Sequence, residues 1–307
     1  SRPEIDLPEG TATNDPSVYA KARENFDRLI SEGALRRDGQ AHFYLYRQIM
    51  GEHTQLGLVA VASCAEYDAN TIRKHEFTRP DKEDDRVAHL EVLDAQTGPV
   101  FLTYSADAEL DALFDRVAAG EPDVDFTAPD GVRHTSWTIA AGEDTAFVES
   151  RFDGIPNLYI ADGHHRSAAA SRVNQSRSGA GTSDLFLTVI FPHDQMQILA
   201  YNRAVKDLNG LSIDEFRTAL GQAFEIEPTG QAKPTGKHEI GLYLDGEWST
   251  LRPKPDTIDP DDAIKQLDVS ILQDHALAPV LGIDDPRRSK RVAFVGGIRG
   301  TGELEKL

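Results

Sequence analysis

Cysteine is almost missing: Cys64 is the single one in 307 residues. No disulfide framework and no thiolate zinc site can form within one chain, which fits a reducing cytoplasm. Cys64 lies in the apolar run Leu58–Cys64, where a small buried residue is expected and not a nucleophile. Long hydrophobic runs are lacking too. Nothing approaches the roughly 20 apolar residues that cross a bilayer, and no stretch has the pattern of a signal peptide. Positive charge is scarce, with Lys+Arg 32 against Asp+Glu 51 and a net charge of -19. Such a balance repels nucleic acid and anionic membrane, so neither is expected as a partner, and the acidity reads first as a solvated surface. The usual nucleotide devices are absent as well: there is no Gly-x-x-x-x-Gly-Lys loop, Rossmann fingerprint or Gly-x-Ser-x-Gly elbow.

What is present alternates strands and helices irregularly. Asp15-Pro16 before Tyr19, Ala22, Phe26 and Leu29, with Gly33 after them, predicts a capped amphipathic helix. Residues 41–50 and 54–63 flank Gly51-Glu52-His53 as a hairpin would. Residues 99–104, 132–140, 184–191 and 197–203 read as strands, and 83–95, 106–119 and 143–152 as helices. Ser212-Ile213-Asp214-Glu215 is a capping box opening a helix to about residue 223. Asp245-Gly246 marks a second hairpin, and 268–282 a C-terminal helix. Frequent hairpins without a regular strand-helix rhythm favour an α+β fold with a mixed β-sheet core and flanking helices. Two lobes are expected, 1–150 and 151–307, with one continuous domain as the alternative. The Ser176–Thr182 stretch is flexible in composition and reads as a lid candidate.

The stretch IADGHHRSAAASR, residues 160–172, concentrates the chemistry. An apolar run precedes it and an alanine-rich run follows, which puts the polar cluster at a strand-to-helix junction. Helix N-termini carry free N–H groups and a positive dipole end, so an anion fits there. Gly163 permits a tight turn, while His164, His165 and Arg166 add donors in the first turn. Cationic side chains oppose the dipole at that position unless a negative group lies between them. Read as packing alone, one histidine would be a satisfied core residue and Arg166 would bridge to a surface acid. Ser167 and the alanines after it read as a close-packing face.

A second basic cluster is Arg73-Lys74-His75-Glu76-Phe77-Thr78-Arg79-Pro80-Asp81-Lys82, running on to Arg86. Asp84 and Asp85 read as solvated charges. His75 to Thr78, flanked by an aromatic and a proline, reads as a partly buried loop whose carboxylate could serve as a general base. Zinc hydrolysis fits poorly, because the metalloprotease spacing would need histidine where Arg79 stands.

These segments, KHEFTRPDKEDDR at 74–86, GPVFLTY at 98–104, IADGHHRSAAA at 160–170 and LDVSILQDHALAPVLGI at 267–283, resemble the bacterial and archaeal family called domain of unknown function 1015. Members of that family usually extend beyond the equivalents of Ser1 and Leu307, so segments at both ends are expected. The Asp-Gly-His-His-Arg turn is also similar to the phosphate-binding turn of the ParB/sulfiredoxin superfamily, which includes free-serine kinases. That resemblance implies Gly163, His165, Arg166 and Ser167 around nucleotide phosphates, with Arg79 and Lys82 assisting, and Glu76 as catalytic base. It implies Asp162 as a ligand of the acceptor hydroxyl or of Mg²⁺, and His164 as a catalytic residue. ATP or ADP would be the cofactor. Phe77 and Arg79-Pro80 depart from the family's common Lys-Thr spacing. The expected function is therefore a nucleotide-dependent phosphotransferase acting on a small hydroxylated metabolite such as serine. The alternatives are a non-catalytic nucleotide- or metabolite-binding regulator and a ParB-type nucleotide hydrolase; homodimeric assembly stays open.

Overall fold

The computed structural model describes residues 3–286, 288–297 and 300–307; Ser1 lies outside the described residues. Two compact units are present, the first ending at Gln197 and the second running from Ile198 to Leu307. Where the sequence suggested a division near residue 150, contacts divide the chain after Gln197, because residues 158–192 supply strands to the same sheet as residues 43–63.

The first unit is an α+β structure around an eight-stranded mixed sheet. Its elements in chain order are α1 (Pro16–Ser31), β1 (Phe43–Met50), β2 (His53–Ser63), α2 (Cys64–Asp68), β3 (Ile72–Arg73), α3 (Pro80–Leu93), β4 (Val100–Tyr104), α4 (Ala108–Ala118), β5 (Val124–Thr127), β6 (Arg133–Ile139), α5 (Glu143–Asp153), β7 (Leu158–Asp162), α6 (His164–Arg177) and β8 (Leu185–Pro192). Strand order across the sheet is β3-β7-β4-β8-β2-β1-β6-β5. β1 and β2 form the expected hairpin, with Met50 opposite His53.

β8 lies inside the sheet, parallel to β4 and antiparallel to β2. Its sequence LFLTVIFP is nearly all apolar because both faces are covered. Thr188, the polar exception, is fully buried and donates its hydroxyl to the Ala60 carbonyl at 3.0 Å. A Cβ on Gly57 in β2 would stand 2.7 Å from the Phe191 ring and 2.8 Å from the Ile190 carbonyl oxygen, so glycine alone lets these strands approach there. Leu45, Leu58, Leu102, Leu110, Phe114 and Ile160 centre the core. Truncating a fully buried member such as Leu102 to alanine would cost about 2–5 kcal/mol.

Cys64 is buried at the first turn of α2, as expected, and burial pushes its thiol up to about 11. That leaves it protonated and unreactive at neutral pH.

The second unit contains β9 (Tyr201–Val205), α7 (Ile213–Leu220), β10 (Phe224–Pro228), β11 (Ile240–Leu244), β12 (Glu247–Pro253), α8 (Asp268–Leu272) and β13 (Val292–Gly296). β10, β12 and β11 form a three-stranded antiparallel sheet, and β13 pairs with β9. The capping box at Ser212 and Glu215 is formed in both directions. Asp245-Gly246 closes the β11–β12 hairpin, with Leu244 opposite Glu247. The expected C-terminal helix is broken: α8 is five residues long and passes into a π-helical turn at Gln273–Leu277. A buried core of its own, including Phe216, Leu220, Phe224 and Ile271, holds this unit.

Candidate functional site

β7 ends at Asp162 and α6 begins at His164, so the Asp-Gly-His-His-Arg segment is the predicted strand-to-helix junction. Gly163 between them has φ +98° and caps the helix without any side-chain hydrogen bond. A Cβ at this position would stand 2.9 Å from Arg166 Nη2 and 3.0 Å from its Nε. Glycine is therefore required twice, by the backbone angle and by the guanidinium packed over the turn. The amides of Arg166 and Ser167 turn back to the Gly163 carbonyl. Among the described residues the amides of Gly163, His164 and His165 have no backbone acceptor and remain as the donors of the helix start.

α6 explains why the junction is held firmly. Ser167, Ala168, Ala169, Ala170 and Ser171 are all buried, so its small face sits tightly against the rest of the unit. Ser171 donates to the Asp68 carboxylate at 2.6 Å. Arg172 binds Glu83 at 2.9 Å and Asp84 at 2.8 Å, and Arg177 binds Asp94 at 2.5 Å, tying α6 to α3 and its C-terminal cap. Asp84, 65 % exposed at its side chain, is the solvated charge the sequence suggested and also a partner of Arg172. Asp85 accepts from the Tyr19 hydroxyl at 3.2 Å.

The two clusters singled out in the sequence meet here. His164, only 4 % exposed, places Nδ1 3.4 Å from Glu76 Oε2. Its ring meets that of His75 edge to face at 4.5 Å. His165 Nε2 accepts the Arg79 backbone N–H at 3.1 Å. Arg166 Nη2 binds Asp162 Oδ2 at 2.8 Å, while Arg166 Nε is buried with no hydrogen-bond partner. His164 Nε2 is likewise buried and unpartnered.

The electrostatics differ from the sequence expectation. Burial, with His75 alongside, holds the His164 imidazole below its ordinary range, against the opposing pull of Glu76 and Asp162. His165 Nε2 is taken up as the acceptor of the Arg79 N–H and offers no donor to the turn. Arg166 is the permanent cation of the turn, and Asp162 four residues earlier already balances it. The bridge to a surface acid foreseen in the packing reading does form; mutual repulsion of cations does not by itself demand an anion.

The remaining residues fall as follows. Ser167 is fully buried and donates to the His164 carbonyl at 3.1 Å, so its hydroxyl faces inward. Arg79 is the N-cap residue of α3, and its exposed guanidinium pairs with Asp81 at 2.8 Å. Lys82 is exposed on the first turn of α3. Thr78 donates to Glu83 at 2.7 Å. Phe77, expected in a partly buried loop, is 95 % exposed. The Ser176–Thr182 stretch is not beside the junction: α6 continues through Arg177, which separates the two by about 20 Å of helix. His75 was not among the residues expected to act here; its place next to Glu76 in the chain was the available signal.

A phosphate group fits the donors of this turn, which are its three free amides and the unpartnered Arg166 Nε; His164 Nε2, on a ring whose Nδ1 faces the Glu76 carboxylate, is an acceptor and adds none. Magnesium is less provided for. Asp162 is held by Arg166, and among the described residues no group of three or more His, Cys, Asp or Glu side chains is placed to hold a metal ion. Two cavities, of about 400 and 460 Å³, are lined by other residues. The turn's own donors argue for a ligand.

Fold and site together define an α+β protein whose mixed sheet presents a glycine-turned helix start beside a histidine-carboxylate pair. The chain belongs to the family described as protein of unknown function (DUF1015), whose model matches residues 1–270. Neither a curated protein nor a solved structure matches it.

Proposed function

We propose that the protein is a nucleotide-dependent phosphotransferase acting on a small hydroxylated metabolite, with the phosphates of ATP or ADP at the Gly163 turn. The observation that carries this reading is the conjunction at one helix start of free amides, the unpartnered Arg166 Nε and the Glu76–His164 pair. Phosphoryl transfer asks mainly for positioning and charge neutralisation, which these groups supply. The similarity of the turn to that of the ParB/sulfiredoxin superfamily and its free-serine kinases supports the same reading.

In this scheme the amides after Gly163 and Arg166 hold the phosphates. Glu76, 61 % exposed at its side chain, takes the proton of the acceptor hydroxyl as the hydroxyl oxygen bonds to the terminal phosphorus, and the bond from that phosphorus to the next phosphate breaks, so the nucleotide leaves one phosphate shorter. His164 fixes the Glu76 carboxylate. Magnesium bound with the nucleotide would supply charge neutralisation, and Asp162 is the residue of the turn that would hold it, in exchange for its pair with Arg166. Phe77 offers an exposed ring one residue from Glu76 on which a nucleobase can stack.

Glu76→Gln is the discriminating variant. Turnover should fall by about 10²–10⁴-fold, the usual contribution of a general base, while nucleotide affinity stays within about twofold. An unchanged rate would refute Glu76 as base, and nucleotide binding without turnover in the wild type would favour a regulator.

A further inference from the structure

β7 runs antiparallel to β4, and β4 runs parallel to β8, so the C-terminal ends of β7 and β8 lie at opposite ends of the sheet. The Gly163 turn follows β7. Beyond the end of β8, a cavity of about 460 Å³ is lined by Arg47, Thr54, Leu56, Asp115, Ala118 and Gln195, among others. Its volume is within the range of small-molecule sites.

Arg47 sits in β1 opposite Leu56 of β2 and Thr135 of β6. Its guanidinium carbon lies 4.7 Å from the centre of the Trp137 ring, which is itself buried. Stacking of this kind fixes the plane of the guanidinium. Arg47 Nε is buried and has no hydrogen-bond partner among the described residues. Asp125, whose carboxyl feels the charge of Arg47, is instead gripped by Nε and Nη2 of Arg133. Asp115, on α4, is exposed and forms no ion pair among the described residues. Gln195 accepts the Leu56 amide at 2.7 Å through Oε1, which leaves its NH₂ group available as a donor.

Two opposite charges that line one cavity without pairing to each other suit a ligand that carries both signs. A guanidinium held flat by a ring matches a carboxylate, which it can meet with two parallel hydrogen bonds. Asp115 matches an ammonium, and Leu56 and Ala118 add apolar lining. A phosphate would meet the Asp115 carboxylate, and a simple cation would meet Arg47. We propose that this cavity binds a free amino acid through its α-carboxylate at Arg47 and its α-ammonium at Asp115. The site is independent of the phosphate turn.

Titration calorimetry of the full chain with each of the twenty free amino acids tests this. At least one should bind, and its N-acetyl and carboxamide derivatives should each bind at least tenfold more weakly. Arg47→Met should weaken binding by the same margin. Because Arg47 also packs on Trp137, Asp115→Asn at an exposed position is the second variant, again with at least a tenfold loss. Arg166→Gln should leave this binding unchanged. No binding by any of the twenty, equal binding of the blocked derivatives, or full affinity in Asp115→Asn would overturn the proposal.

Discussion

His164 Nδ1 stands 3.4 Å from Glu76 Oε2, while its Nε2 is buried without a partner. Two residues 88 positions apart in the chain meet at this contact, and the imidazole is kept below its ordinary range mainly by burial. A histidine whose folded pKa is depressed binds fewer protons than its unfolded counterpart below pH 6.5, so its contribution to stability is present above that pH. The contribution is lost as pH falls toward the folded value. Urea unfolding between pH 7 and 5 should therefore show a decline to which His164 adds at most about 1.4 kcal/mol per pH unit. His164→Gln should reduce that slope. His89, also held down by burial, contributes in the same direction and remains in the variant. An identical slope in His164→Gln would contradict the assignment.

Gly163→Ala places a methyl group where the Arg166 guanidinium lies and forces alanine to φ +98°. The expected loss is about 1–3 kcal/mol in chemical unfolding, the usual range for strained backbone. Stability equal to the wild type would show that the turn is not held as described.

Phe77→Ala should leave stability unchanged, because the ring is 95 % exposed. If a nucleobase stacks on it, nucleotide affinity should fall by about 1–3 kcal/mol, or roughly 5- to 150-fold. Equal affinity in wild type and variant would remove Phe77 from the site and leave the phosphate contacts standing.

Much of this architecture was legible in the chain. Asp15-Pro16, the Ser212–Glu215 box and Asp245-Gly246 each mark their boundary by local hydrogen bonding, and the structure places elements there. The junction at Gly163 was legible for the same reason, since a change from apolar run to small-residue run needs no tertiary information. β5 was not. Its sequence VDFT is wholly exposed and paired on one side only, so no burial pattern betrays it. The π-helical turn at 273–277 also escaped, because a widened turn does not follow the 3.6-residue period. At the site, the i, i+4 spacing of Asp162 and Arg166 was the overlooked signal: it lets a helix start satisfy its own cation. The surroundings of His164 and His165 come from residues 75, 76 and 79, about ninety positions away, and no local pattern contains them.

The most direct measurement is the melting temperature of the full chain, wild type and Arg166→Gln, with ATP, ADP and pyrophosphate, each with and without Mg²⁺. A ligand bound only by the folded state at 100 times its Kd adds about 2.7 kcal/mol. Phosphate at the Gly163 turn predicts a clear upward shift for the wild type with at least one of these compounds and its loss in Arg166→Gln. No shift with any of them, or an equal shift in the variant, would contradict the account.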